Sequence, residues 1–241
     1  SLPLSDELDS VGPIANSVEE CELLWKVLSG DIAAESENQS DLSQLTLVVP
    51  TNFGMNELDP LVEQGFTEVL ARLEAGGVTI IHRFVEALEA YKTLPVWQFS
   101  AVECETYYGK HYDLDKVEMD PRVASRVARA KTMNANDFAQ TKAAREAFIQ
   151  GVENQEANTV FLLPTVAVLA PKLADLEENA EYDRLNLLCL RNTSLANVLN
   201  GCSVSLPFRF QGEPMGLMLT ANNGMDHHLL NLAKALEPSI Y

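Results

Sequence analysis

The chain has 241 residues, enough for one large domain or two small ones, and 46% of them are hydrophobic, which suffices for a substantial core and is too apolar for a disordered chain. Seventeen basic against thirty-five acidic side chains leave a formal net charge of -18. Such a surface repels phosphate backbones and argues against direct nucleic-acid binding, and no run of about 18 apolar residues is present to span a membrane.

Ser17-Val18-Glu19-Glu20 forms a capping box, with a serine oxygen for an orphan amide and a glutamate three residues on. Val18, Cys21, Leu24, Trp25 and Leu28 follow at helical spacing, and Gly30 stops the helix. Residues 31–41 are polar and irregular and read as a surface loop. Leu45-Thr46-Leu47-Val48-Val49 is rich in strand formers and closes at Pro50.

Asp59-Pro60 opens a helix whose inward stripe is Leu61, Val62, Phe66, Val69, Leu70 and Leu73. Gly76-Gly77 ends it, and Val78-Thr79-Ile80-Ile81 reads as the next strand. Strand, helix and strand within about forty residues make a βαβ unit, hence a parallel pair with a right-handed crossover. The aromatic-rich stretch 91–112 is ambiguous; its Tyr107-Tyr108-Gly109 suits packing better than a ligand box.

Asp120-Pro121 starts another helix, and Asn134 caps a longer one in which Phe138, Thr141, Phe148, Ile149 and Val152 share a face. Val160-Phe161-Leu162-Leu163 is a buried strand ending at Pro164-Thr165. Residues 203–208 and 215–220 are two further strands, joined by a turn at Gln211-Gly212-Glu213-Pro214. Asp226 caps a last helix with Leu229, Leu230, Leu232, Ala233 and Leu236 inward. Buried strands alternating with helices indicate an α/β fold, and no linker splits residues 1–241 into separate domains.

Cys21, Cys104, Cys189 and Cys202 form no C-x-x-C pair and fit no zinc template, so they read as reduced, buried thiols. His227 and His228 are adjacent and point in different directions on a helix, which suits a surface role rather than a shared metal. The residues show no G-x-S-x-G, H-E-x-x-H or Cys–His signature of an autonomous hydrolase.

Three blocks carry a resemblance. The first is Pro3-Leu4-Ser5-Asp6-Glu7-Leu8-Asp9-Ser10-Val11-Gly12-Pro13, continued through Ile14-Ala15-Asn16-Ser17-Val18-Glu19. The second is Phe161-Leu162-Leu163-Pro164-Thr165. The third runs from Asn192-Thr193-Ser194-Leu195-Ala196-Asn197 through Ser203-Val204-Ser205-Leu206-Pro207 to Gly212-Glu213-Pro214-Met215-Gly216-Leu217-Met218-Leu219. In order and spacing they resemble the amidase signature family, whose wording for the first block is close to P-L-S-x-S-L-D-T-V-G-P-I-A-R-S-V-x-D. The chain departs there at Glu7 for a serine, Ser10 for a threonine and Asn16 for an arginine. In the third block, Gly201-Cys202 replaces a usual residue–proline pair.

The resemblance implies a mixed β-sheet flanked by helices, and carboxamide hydrolysis by a Ser–Ser–Lys triad with no cofactor and no metal. It implies further that the triad precedes the first block, so that this chain is the C-terminal half of an amidase domain, inactive alone. Loss of the nucleophile by itself costs on the order of a millionfold in turnover.

By the family's pattern this half walls the pocket of a small-molecule amide, and the candidate wall residues are Thr165, Arg191, Thr193, Ser194 and Asn197. Arg191 suits either a substrate carboxylate or a surface salt bridge, and Asn197 either the pocket or a backbone-bonded turn. Asp9 is expected to fix its loop through backbone amides. The glutamine-specific members of the family, which serve tRNA-dependent amidotransferases, need a carboxylate near the third block. Leu190 stands at that place, so a general amidase fits better. The expected partners are an N-terminal half or a second copy, meeting an exposed sheet surface, and the expected setting is the cytoplasm.

Overall fold

The computed structural model describes residues 2–30, 46–114 and 116–240; the loop expected over 31–41 lies outside them. Thirteen regular elements follow in order among the described residues. They are α1 (Val18–Ser29), β1 (Thr46–Pro50), α2 (Pro60–Ala75), β2 (Ile80–Arg83), α3 (Trp97–Tyr108), α4 (Pro121–Ala128) and α5 (Ala135–Gln155). Then come β3 (Thr159–Pro164), α6 (Asn179–Arg191), α7 (Ser194–Leu199), β4 (Cys202–Phe210), β5 (Glu213–Ala221) and α8 (Asp226–Leu236).

The strands form one mixed sheet in the order β2-β1-β3-β5-β4. β1 pairs in parallel with β2 (Leu47 opposite Ile80) and with β3 (Leu47 opposite Val160), which confirms the βαβ unit. β5 runs antiparallel to both β3 and β4. Successive side chains alternate between the two faces of the sheet. Leu47, Val49, Val160, Leu162, Leu217 and Leu219 join the core under α2 and α8. Val48, Phe161, Leu163 and Met218 join the one under α5 and α7. Burial on both faces is why the central strands read as unbroken apolar runs.

Helix ends follow their local chemistry. Ser17 accepts from the Glu20 amide, Gly30 is left-handed at φ 78°, and Asn134 and Asp137 complete a capping box on α5. At the end of α2, Gly77 (φ 93°) donates to the Glu74 carbonyl at 2.9 Å and Val78 to the Leu73 carbonyl at 3.0 Å. That is a Schellman closure. It uses the Val78 amide, so β2 begins at Ile80 rather than at Val78 as expected.

The expected four-residue turn before β5 is only two residues long, Gln211 (φ 50°) and Gly212 (φ 89°), because a type I′ turn matches strand twist. Met225, not Asp226, occupies the cap of α8, and Asp226 opens the helix itself.

Two expectations about burial need correction. The four cysteines are free but half-buried rather than buried, and Cys202 packs against the margin of the first core. In α1 only Val18 and Glu22 are buried. Glu22 reaches Lys26 at 3.1 Å and Lys234 on α8 at 2.6 Å, so this helix turns an ion cluster inward. Leu24 and Leu28, expected to face inward, are exposed together with Leu23 and Val27. Among the described residues nothing covers that apolar face.

Candidate functional site

The parallel strands β1 and β3 end side by side, and loops leaving the carboxyl ends of such strands are where α/β folds place ligands. The exit of β3 is fixed first. The Thr165 amide donates to the Gly216 carbonyl at 2.8 Å, and its Oγ1 lies 2.6 Å from the Ser205 Oγ on β4. Gly216 is required there: a Cβ would come within 2.5 Å of Thr165 Oγ1 and 2.6 Å of Ser205 Oγ. Beside this hydroxyl pair opens a cavity of about 510 Å³. It is walled by the strap 164–171, the β4–β5 hairpin, Val62 of α2 and Cys189 of α6.

Arg191 and Asn192 staple the two strand exits together. Arg191 donates to the carbonyls of Gly54 at 2.9 Å and Asn56 at 2.6 Å, and to Asn192 Oδ1 at 3.0 Å. Burial pulls its guanidinium below the ordinary value, against the pull of Glu57. Fully buried Asn192 donates to the Pro164 carbonyl at 2.7 Å and the Gly54 carbonyl at 3.3 Å. Gly54 approaches so closely that a Cβ there would sit 2.8 Å from Leu163 Cδ2.

The opening segment docks on the other side of α7. Asp9 accepts from the amides of Leu4 at 2.8 Å and Ser5 at 3.1 Å, the loop-fixing role expected of it. Ser5 donates to Glu103 of α3. Asn197 donates to the Leu8 carbonyl at 2.7 Å and to Ser10 Oγ at 3.3 Å. Buried Arg145 of α5 clamps the whole arrangement. It reaches the Val198 carbonyl at 2.9 Å, the Asn197 carbonyl at 3.1 Å and Glu7 at 3.0 Å.

Of the five residues singled out in the sequence, Thr165 lines the cavity. Arg191 is not part of its lining and instead meets the carbonyls of Gly54 and Asn56. Thr193 donates to the Leu190 carbonyl at 3.1 Å, Ser194 begins α7 half-buried, and Asn197 faces the opening segment. Sequence reasoning missed Ser205, Asn192 and Arg145. For Arg145 a signal was available: it interrupts the apolar stripe of α5 between Thr141 and Phe148, where a charge is affordable only if fully paired. Asn192 carries no such periodic mark.

The model of the Amidase family matches residues 1–230. A 2-amino-5-chloromuconic acid deaminase of Comamonas testosteroni is 25% identical over 99% of this chain and 53% of its own length. The A component of the glutamyl-tRNA(Gln) amidotransferase of Thermotoga maritima is 20% identical over 98% of this chain and 56% of its own. The crystal structure of an amidase superposes with a TM-score of 0.78 at 24% identity, covering 100% of this chain and 55% of that one. The chain thus spans about half the length of these curated relatives.

Proposed function

The chain belongs to the amidase family, and from that premise we propose that residues 1–241 are the C-terminal portion of one amidase domain. The whole enzyme breaks a carboxamide C–N bond in the cytoplasm, releasing ammonia or an amine or passing ammonia on. The observation that carries this reading is the continuous family match over residues 1–230. In it, a Ser–Ser–Lys triad is supplied by residues preceding the opening segment. The lysine takes a proton through the bridging serine from the nucleophile, which attacks the carbonyl; backbone amides hold the oxyanion, that proton passes to the departing ammonia or amine as the C–N bond breaks, and water then hydrolyses the acyl-enzyme to the free acid. This half supplies pocket wall, from Thr165 at the cavity described above and, outside that cavity, from Arg191, Thr193, Ser194 and Asn197 in the pocket of the whole enzyme.

Ammonia release from simple carboxamides tests the proposal. The pure 241-residue chain is expected to give none above background, and a longer protein that includes an N-terminal amidase half is expected to turn over. Hydrolysis by the isolated chain would overturn the division of labour, and an inert longer protein would overturn the function.

The exposed apolar face of α1 favours a second reading, in which this chain is a non-catalytic piece that associates with an N-terminal half or with itself. Leu23, Leu24, Val27 and Leu28 together with Ile14 offer apolar side chains to solvent, and exposed patches of this kind mark association surfaces. The chain is expected to sediment above 26.5 kDa at micromolar concentration and to become monomeric as the double variant Leu24→Glu, Leu28→Glu. A monomeric parent chain would remove the self-association branch. A narrower alternative, the glutamine-specific component of a tRNA-dependent amidotransferase, is disfavoured by Leu190, which is apolar and half-exposed.

A further inference from the structure

The cavity beside Thr165 differs in character from its neighbour. Among the described residues that line it, none carries a charge; Val62, Val166, Val168, Leu169, Phe208 and Met215 give it apolar walls. The hydroxyl pair of Thr165 and Ser205 and the Cys189 thiol are its side-chain polar features. Across the strap 168–171 lies a second, smaller cavity of about 350 Å³, lined by Glu57, Asp59, Lys172, Asp175, Glu181 and Arg184. One stretch of chain therefore separates an uncharged chamber from a charged one.

We propose that the uncharged cavity is a subsite for the neutral, aliphatic part of a primary amide substrate, with the Thr165–Ser205 hydroxyl pair hydrogen-bonding its carboxamide. This rests on the amide-cleaving reading above and narrows its substrate class. The volume lies within the range of small-molecule sites. A carboxylate or ammonium entering these walls would leave water for an environment with no counter-ion, which is strongly unfavourable. An aliphatic chain gains by the same transfer. The hydroxyls are close enough to share one proton between them, so one hydrogen is left to donate and lone pairs to accept. Such a pair suits a neutral carboxamide, which offers both an acceptor oxygen and donor hydrogens.

The test uses this chain with two probes of equal length: hexanamide, and adipamic acid, which carries a carboxylate at the far end. Methyl NMR of methionine-labelled protein follows Met215 on the cavity wall. Hexanamide is expected to shift the Met215 methyl and to bind about tenfold more tightly than adipamic acid. Thr165→Val keeps the side-chain shape and is expected to weaken hexanamide about fivefold by loss of the hydroxyl. Gly216→Ala, whose methyl would press on both hydroxyls, is expected to weaken it further.

Equal binding of the two probes, shifts that spare Met215, affinity unchanged in Thr165→Val, or no binding of either probe would each overturn the subsite. None of these outcomes bears on whether the longer protein hydrolyses amides. Conversely, hexanamide binding at Met215 alongside an inert longer protein would sink the proposed reaction and leave the subsite standing.

Discussion

Arg145→Met is expected to cost about 3 kcal/mol of stability and to release the opening segment from the body of the protein. Arg145 is 7% exposed, and its guanidinium makes three separate bonds, to the carbonyls of Val198 and Asn197 and to Glu7. Methionine retains the volume of the stem, so the loss is one of polar partners rather than of packing. The Val198 carbonyl would be left with an unmet hydrogen bond, costing about 1–3 kcal/mol where water cannot reach, and the Asn197 carbonyl would lose its charged donor but keep the bond from the Asn200 amide at 3.1 Å. The Glu7 pair adds little, because the Glu7 side chain is 40% exposed and screened by solvent.

In a chain of this size about 3 kcal/mol corresponds to a fall in Tm of about 9 °C. Hydrogen exchange supplies the specific readout: the amides of Leu4, Ser5 and Asp9, bonded within the docked segment, are expected to lose protection. Arg145→Lys keeps the charge but not the planar fork and is expected to fall between the two. Retained protection of those three amides in Arg145→Met would show that Asn197 and Glu103 hold the segment without the arginine.

Arg83→Met is expected to lower stability by about 2 kcal/mol at pH 7, and to change its dependence on pH. Glu156, at the end of α5, has a side chain only 6% exposed. It accepts two bonds from Arg83, one of them at 2.9 Å, and one from Thr159 Oγ1 at 2.6 Å. Burial pushes its carboxyl up, but the bonds from Arg83 and Thr159 outweigh burial and hold it below the ordinary value. A group depressed in the folded state contributes stability above its unfolded pKa of about 4.3, and that contribution is lost as pH falls through the folded value.

Removing Arg83 leaves a buried carboxylate without its counter-ion. The loss falls below the roughly 3–5 kcal/mol of fully buried pairs because the Arg83 side chain is 35% exposed. In the variant burial dominates and the carboxyl is raised, so the variant gains stability on acidification from pH 7 to pH 5. The gap between the two proteins therefore narrows toward acid. Urea midpoints measured across that interval check the sign, and parallel curves would exclude Glu156 as the responsible group.

The sequence by itself determined those features whose chemistry is local. Ser17 and Asn134 can cap a helix from within four residues, Gly77 can close one, and an unbroken apolar run marks a strand buried on both faces. The order of the three signature blocks disclosed the family in the same way, because a motif is a local string. Strand and helix ends slipped by one or two residues where a neighbouring bond decided them, as the Val78 amide did for β2.

Other features belonged to the tertiary structure alone. Periodicity states that a side chain lies on an apolar stripe but not which element covers it, so Leu24 and Leu28 read as core and proved exposed. It is equally silent about where a charge finds its partner. Arg145 meets Glu7 across 138 residues of sequence, and Arg191 meets Gly54 across 137. Thr165 was legible as the end of a strand, yet its bond to Ser205 needed β5 to return between β3 and β4. Capping and alternation act over one turn or two residues, whereas the pairing of buried polar groups is settled only when the sheet order brings distant segments within hydrogen-bond reach.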